Sequence, residues 1–406
     1  MDRVLAGHVA QSHGPVVSRG RVRVLHDTTK FRFDGEREVF GVLRHDAKGF
    51  FGHLALAVSA DENREPLGVL AVRPYIHRDD VAHGGMTTTE RVKASRSKPR
   101  ADRESSRWEK VALEVSAALP AGVTAMHVMD QEADDHDLLV ALHQANLAFV
   151  VRADPHRETA QGALCIKEVV AQRPAKVFRT VHVNPRSKQK EAVTRSRHPA
   201  RSERTAALKI RWGAITLPRR QYSDTDTKEL SLWAVHVLET DAPGAEQPIE
   251  WMLLTSETVN TLDEATAVVD HYRARWLIEE YFKALKTGCS FEKRQLTTFD
   301  GLVRALALFV PMAWRLLVLR HLSRDPDPRP ARSAFDTEQL LLMKTLLAER
   351  RHALPSKPTL KDVMLGIAAL GGHIQNNGDP GWLVLGRGFT RFVEAEAVWR
   401  LARQQM

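Results

Sequence analysis

The alternation of strand-like and helix-like segments is the feature that most constrains the fold of this chain. Period-2 apolarity at residues 21–27 and apolar runs at residues 50–59 and 67–76 predict three successive strands. A helix, a strand, a helix and a strand are predicted next, at residues 105–118, 123–129, 133–145 and 147–152. This order predicts an α/β fold with a mixed sheet and helices on its faces.

The character of the sequence changes after residue 153. Short β-type runs separated by charged turns predict an inserted, mainly β subdomain, with runs at residues 162–170, 176–183, 206–217, 230–238 and 250–256. The pattern is helical from residue 262 onward, and three prolines at residues 325–330 mark a linker. We therefore expect an N-terminal remnant (1–20), the first part of a core (21–153), the insertion (154–256), the completion of the core (257–322) and a helical C-terminal region (323–406).

The charge balance narrows the choice of partner. The chain has 59 Lys+Arg against 50 Asp+Glu, a formal net charge of +9. This excess indicates either that the chain binds a polyanion such as nucleic acid or that its surface is basic without a specific partner. Residues 186–204 hold seven basic and two acidic side chains and are predicted to be an exposed loop. The two cysteines do not have zinc-site spacing, and no apolar run reaches the ~18 residues of a membrane span. Because no signal core is visible either, we expect a cytoplasmic protein.

Four side chains near residue 280 suggest a functional helix face. At about 100° per residue, Tyr272, Arg275, Glu279 and Lys286 fall within an arc of roughly 60° if one helix carries them all. An aromatic hydroxyl, two cations and a carboxylate on one stripe could bind a polyanionic substrate. The alternative is a solvated face, on which Arg275 and Glu279 form an ordinary i,i+4 ion pair.

Two aspartates are predicted at strand ends. Asp27 closes the strand predicted at residues 21–27, and Asp130 follows the one predicted at residues 123–129. Carboxylates at strand ends in α/β sheets project into the crevice where such folds bind ligands. Together with Glu279 they could hold two Mg²⁺ ions ~3.5–4 Å apart for phosphoryl transfer. The alternative for each aspartate is a turn former or a helix N-cap.

These motifs resemble those of the DDE transposases of bacterial insertion sequences, in the subgroup with the Y-x2-R-x3-E-x6-K signature. The signature is matched by Tyr272, Arg275, Glu279 and Lys286, the first catalytic aspartate by Asp27-Thr-Thr, and the second by Asp130-Gln-Glu-Ala-Asp. The resemblance implies a ribonuclease H-like core interrupted by a β insertion. It also implies that Asp27, Asp130 and Glu279 are catalytic and bind two Mg²⁺ ions, with Mn²⁺ as a substitute.

The resemblance further implies cut-and-paste transposition of double-stranded DNA. In that reaction water cleaves one strand at the element end, and the freed 3′-hydroxyl attacks the opposite strand to form a hairpin. Water then opens the hairpin, and the 3′ end is joined to target DNA. Tyr272, Arg275 and Lys286 would contact DNA phosphates, Trp251 would stack on a flipped base, and Arg152 would be a further DNA contact. The alternatives are a core aromatic for Trp251 and a plain surface charge for Arg152.

Two departures from the family pattern bear on function. Gln131 stands where relatives usually have arginine, which removes a charge beside the second aspartate. Only 26 residues precede Asp27, so we expect the usual N-terminal end-binding domain to be missing and specific end binding to be weak. A truncated inhibitor, a decayed transposase and a plain nuclease are therefore alternative functions. The C-terminal region resembles the part through which relatives dimerise, which implies a homodimer or a heterodimer with a longer transposase. We expect the protein to be associated with the nucleoid when it is bound to DNA.

Overall fold

The computed structural model describes residues 2–34, 41–43, 47–76, 90, 99, 103, 105–186, 200–221, 223–244, 246–350, 352–374 and 378–404. Its strands are β1 (Arg21–Arg32), β2 (Gly41–Leu43), β3 (Ala47–Ser59), β4 (Pro66–Tyr75), β5 (Thr124–Met129), β6 (Ala148–Arg152), β7 (Lys176–Val183), β8 (Arg204–Pro218), β9 (Glu229–Glu239) and β10 (Glu250–Thr255). Its α-helices are α1 (Asp2–Arg19), α2 (Ser105–Ala118), α3 (His136–Gln144), α4 (Ile166–Ala171), α5 (Leu262–Arg273), α6 (Trp276–Lys283), α7 (Phe299–Leu322), α8 (Thr337–Ala348), α9 (Leu360–Leu370) and α10 (Trp382–Gln404). The chain forms two units, one of residues 1–86, 119–123 and 276–406 and one of residues 87–118 and 124–275.

The first unit contains β1 to β4, with β3 pairing antiparallel to β1, β2 and β4. The prediction that Asp27 ends its strand is wrong, because β1 continues to Arg32 and Asp27 lies in mid-strand opposite Leu54. The continuation follows from Thr29 and Phe31, which are buried in alternation on one face. Residues 2–19, expected to be a weakly patterned remnant, form α1, which packs against β4 and α7.

The second unit contains a mixed sheet in the order β5-β6-β10-β9-β8-β7. β5 and β6 are parallel, and the remaining neighbours are antiparallel. Buried apolar side chains such as Trp108, Phe149, Leu139 and Met252 form the core that joins the helices to this sheet. The predicted mixed α/β architecture is thus confirmed. The β-type run predicted at residues 162–170 is wrong, because its second half is the helix α4.

The segment that carries the four signature residues is two helices and a turn rather than one helix. α5 ends at Arg273, and the Arg275 N–H donates to the Tyr272 carbonyl at 3.0 Å in a tight turn before α6 begins. After α6, residues 284–288 form a π-helical turn closed by the Cys289 N–H on the Ala284 carbonyl at 2.8 Å. The predicted 60° arc is therefore wrong, since it needs uninterrupted 100° steps.

The helix α7 is apolar and long enough to cross a membrane, alone among the helices in the described part of the chain. It contains Arg304, Arg315 and Arg320, and it packs against α1, β4 and α6 within its own unit. Its buried side chains include Leu306 and Val310. Packing inside the unit accounts for this apolar composition. Most of the loops predicted at residues 77–103 and 186–204 lie outside the described residues.

Candidate active site

Asp27 lies in β1 beside a pair of buried histidines. Its Oδ1 accepts the Thr28 N–H at 2.8 Å, and its side chain is half-buried. The Thr28 hydroxyl lies 2.9 Å from Nδ1 of His53, its partner on β3, and His53 stacks on His26 with ring centroids 5.7 Å apart. The pairing of β1 with β3 therefore fixes the backbone of Asp27 and the positions of the side chains beside it.

Glu279 lies in the first turn of α6, in the same unit as Asp27. Its side chain is half-buried, and a carboxylate is stabilised there by the positive end of the helix dipole. The helix is anchored by the buried Tyr281, whose hydroxyl donates to the Val310 carbonyl at 3.3 Å. α6 also packs against β1, so the elements that carry Asp27 and Glu279 are in contact.

Lys286 lies in the π-helical turn and is bonded to β1. Its Nζ donates to the Lys30 carbonyl at 2.6 Å and lies 5.6 Å from the Phe31 ring centroid. Burial lowers the pKa of Lys286, while the negative charges of Glu292 and Asp27 act in the opposite direction. The residue predicted to contact DNA thus has a backbone partner within the protein, three positions along the strand from Asp27.

In the second unit, four predicted site residues lie near a fifth, Tyr272. The Tyr272 ring is only 6% exposed and meets Trp251 edge to face with centroids 5.4 Å apart. The Arg152 side chain lies near the Tyr272 hydroxyl. Burial raises the pKa of Tyr272, the charges of Arg275 and Arg152 lower it, and that of Asp130 raises it. One carboxylate, two guanidinium groups and two aromatic rings therefore form a single cluster.

The sheet register brings Trp251 and Arg152 to this cluster. Leu253 of β10 is paired with Arg152 of β6, and Trp251 lies two residues from Leu253 on the same strand. Because residues i and i+2 share a sheet face, Trp251 and Arg152 lie on one face. The half-buried Trp251 is therefore neither a fully buried core aromatic nor a freely exposed one.

Asp130 directly follows β5, as predicted. Its Oδ1 accepts the Glu132 N–H at 2.9 Å and caps the short 3₁₀ helix at residues 131–133. The N-cap alternative is thus realised, but the cap uses only one of the two carboxylate oxygens. Gln131 is exposed beside it.

The fourth residue after Asp130 has a structural role that sequence reasoning missed. Asp134 forms a buried ion pair with Arg157 and accepts the Asp154 N–H at 3.0 Å. The Arg157 side chain is 2% exposed, and burial lowers its pKa while Asp134 opposes that change. This pair joins the loops that follow β5 and β6. Only the proximity of Asp134 to Asp130 in the sequence could have drawn attention to it.

A second buried carboxylate organises the loop between β8 and β9. Asp137 accepts hydrogen bonds from the Ser223 hydroxyl and, at 3.1 Å, from the Asp224 N–H. It also pairs with Arg103 at 3.3 Å. Asp137 and Asp134 therefore each form an ion pair with an arginine, whereas Asp130 caps a helix with one carboxylate oxygen.

The carboxylates suit a hard divalent cation by their chemistry, since Mg²⁺ prefers carboxylate oxygens. Within the described residues, however, no group of three or more His, Cys, Asp or Glu side chains is placed so that it could hold a metal ion. Asp27 and Glu279 belong to the first unit and Asp130 to the second. Their assignment as metal ligands therefore stays a prediction.

A family comparison identifies the class of protein to which this fold and these residues belong. The model described as "Transposase DDE domain" matches residues 109–311, half of the 406 residues. The chain belongs to the DDE transposase family. Asp130, Glu279 and the Tyr272 cluster lie inside the matched range, whereas Asp27 precedes it.

One solved structure is similar to the chain at a low level. It is described as a cryo-EM structure of the piggyBac transposase synaptic complex with hairpin DNA. The similarity covers 75% of this chain and 48% of that one, with 11% sequence identity and a TM-score of 0.32. This chain thus spans about half the length of that transposase.

Proposed function

We propose that the chain is a cut-and-paste DNA transposase of the Y-x2-R-x3-E-x6-K subgroup, with a ribonuclease H-like core. The observation that carries this proposal is the cluster of Tyr272, Trp251, Arg152, Arg275 and Asp130. Guanidinium groups bind phosphodiesters through charge-assisted hydrogen bonds, and aromatic rings bind bases. The cluster lies within the range matched by the family model, which supports this assignment.

Each predicted site residue has a distinct part in the proposed reaction. Asp27, Asp130 and Glu279 would hold the divalent cations, Mg²⁺ or Mn²⁺. Such ions activate water and stabilise the attacking and leaving oxygens of phosphodiester displacement. Arg152 and Arg275 would neutralise a DNA phosphate beside this centre.

The remaining residues would position the DNA. Tyr272 lies near the Arg152 side chain and meets Trp251 edge to face, so its role would be to position both. Trp251, being half-buried, would stack on a base displaced during hairpin formation. Lys286, bonded to the Lys30 carbonyl, would act on β1 as well as on DNA.

Double-stranded DNA is the proposed substrate at both the element ends and the target. The domain divisions at residues 20, 153, 256 and 322 stay proposals, as does dimerisation through residues 323–406. The net charge of +9 supports a polyanionic partner.

Strand joining tests this function. The purified chain would be supplied with Mg²⁺ or Mn²⁺, a plasmid target and duplexes from the DNA that flanks its gene, pre-cut to expose a 3′-hydroxyl. We expect labelled ends to join the plasmid. Cleavage without joining would indicate a nuclease instead, and the absence of both reactions would contradict the proposal.

A matched pair of variants tests the site. Glu279→Gln should abolish joining because it removes a proposed ligand charge. Glu280→Gln makes the same chemical change one residue away, where the carboxylate pairs with Lys283 at 2.6 Å on the helix surface. Such a pair contributes little to stability, so joining should persist. Equal activity of the two variants would contradict the role of Glu279.

A further inference from the structure

The second unit contains a pocket of about 290 Å³ that none of the predicted site residues line. Its walls include Trp212, Trp233, Arg173 and Lys176. Among the described residues, the charged side chains in its lining are these two cations. The pocket therefore combines aromatic surface with positive charge.

The strand register places the two indoles together. Trp233 of β9 is directly opposite Ala214 of β8, and Trp212 lies two residues before Ala214 on that strand. Directly opposed residues share a face, as do residues i and i+2, so both indoles lie on one face of the sheet. Each is half-buried, which leaves part of its ring surface accessible.

The two cations are exposed. In the described part of the chain neither Arg173 nor Lys176 forms an ion pair, in contrast to Arg204, which pairs with Glu239 at 2.6 Å. The Arg173 side chain lies over Gly213, where an added Cβ would approach its Nε to 3.3 Å. Because neighbouring residues of a strand face opposite sides of the sheet, Arg173 approaches β8 at Gly213 from the face opposite the indoles, whereas Lys176, paired with Ile210, lies on the face of Trp212.

We propose that this pocket binds a nucleobase and its adjoining phosphate from a single-stranded segment of DNA. Stacking on tryptophan holds a base without sequence preference, and Arg173 and Lys176, which form no ion pair within the described residues, supply the charge for the DNA backbone. The inference rests on the proposed function in one respect, namely that DNA is the partner. It adds a second DNA contact, made by the insertion at residues 154–256, to the cluster around Tyr272.

The experiment measures binding of the full chain to a fluorescent 20-nucleotide single strand and to the corresponding duplex by anisotropy. Trp233→Leu should weaken single-strand affinity at least about fivefold, because one stacking platform is lost. Arg173→Gln with Lys176→Gln should reduce the slope of log affinity against log salt by about 1.4 for the single strand. Duplex affinity should stay within about twofold of the unmodified chain for Trp233→Leu.

The double variant Lys209→Gln with Lys228→Gln is the control, since it removes the same charge from two exposed lysines outside the pocket. It should leave single-strand affinity nearly unchanged. Unchanged binding by both pocket variants, or an equal loss for single strand and duplex in Trp233→Leu, would overturn the inference. Because the cation variant changes only exposed side chains, it remains informative if Trp233→Leu fails to fold.

The same preparations separate this inference from the proposed function. If the unmodified chain joins DNA ends while the pocket variants bind single strands normally, only the pocket assignment fails. If joining is absent but the pocket variants lose single-strand affinity, the pocket assignment stands and the transposase function fails.

Discussion

Two aspartates four residues apart should respond in opposite ways to the same substitution. Asp134 is 6% exposed and pairs with Arg157, which is 2% exposed. Asp134→Asn leaves that guanidinium buried without its counter-charge, which costs about 3–5 kcal/mol. Asp130→Asn acts on a half-buried carboxylate whose cap an asparagine can retain, so it should cost less than about 0.5 kcal/mol.

Thermal unfolding followed by circular dichroism measures this difference. At about 2–4 °C per kcal/mol for a unit of this size, Asp134→Asn should lower Tm by roughly 6–20 °C, and Asp130→Asn by less than about 2 °C. Strand joining below the transition should show the reverse order, with Asp130→Asn inactive and Asp134→Asn retaining activity. A Tm for Asp134→Asn within about 2 °C of the unmodified chain would refute the assignment of the buried pair.

Three further predictions concern packing, pH and the Tyr272 cluster. Gly386→Ala should destabilise the chain by about 1–3 kcal/mol, because the added Cβ would lie 1.9 Å from the Gly288 carbonyl oxygen in the π-helical turn. Gly381→Ala is the control, since its Cβ would meet nothing within 4 Å. Equal Tm values for the two variants would contradict this prediction. Burial lowers the pKa of His127 from 6.5 to about 4, so the unfolded chain binds the proton more tightly than the folded chain does. The free energy of unfolding should therefore fall by up to about 3 kcal/mol as the pH drops from 6.5 towards 4. In urea unfolding, His127→Gln should reduce this pH dependence, and an unchanged dependence would contradict the prediction. Tyr272→Phe should slow joining about tenfold or more because it removes the polar group that lies near the Arg152 side chain, whereas Tyr281→Phe should not. Similar rates for the two variants would exclude a positioning role for the Tyr272 hydroxyl.

Local sequence patterns predicted most strands because their apolar residues alternate with a period of two. The strand predicted at residues 176–183 has the bounds of β7, and those predicted at 206–217 and 230–238 differ from β8 and β9 by two residues or fewer. The run at 162–170 was misassigned because an apolar stretch of this length suits a strand or a helix. The helix signal is the capping box, in which the Glu168 side chain accepts the Cys165 N–H at 2.8 Å.

The candidate site was only partly predictable for a different reason. Sequence spacing identified Tyr272 and Arg275, a strand end identified Asp130, and the family resemblance supplied Trp251 and Arg152. The spacing, however, assumed one helix from Tyr272 to Lys286. The turn after α5 and the π-helical turn depend on tertiary packing, including the close approach of Gly386 to Gly288. The bond from Lys286 to the Lys30 carbonyl joins residues 256 positions apart, which spacing cannot indicate.

The central claim is that Asp27, Asp130 and Glu279 bind divalent cations together. Iron-directed cleavage tests it most directly: Fe²⁺ replaces the native cation, ascorbate and peroxide generate hydroxyl radicals, and mass spectrometry maps the cuts in the chain. The account predicts cuts near residues 27, 130 and 279 that excess Mg²⁺ suppresses and that Asp27→Asn, Asp130→Asn or Glu279→Gln each diminishes at all three places. Cuts confined to one of these places, or unchanged in the three variants, would contradict it.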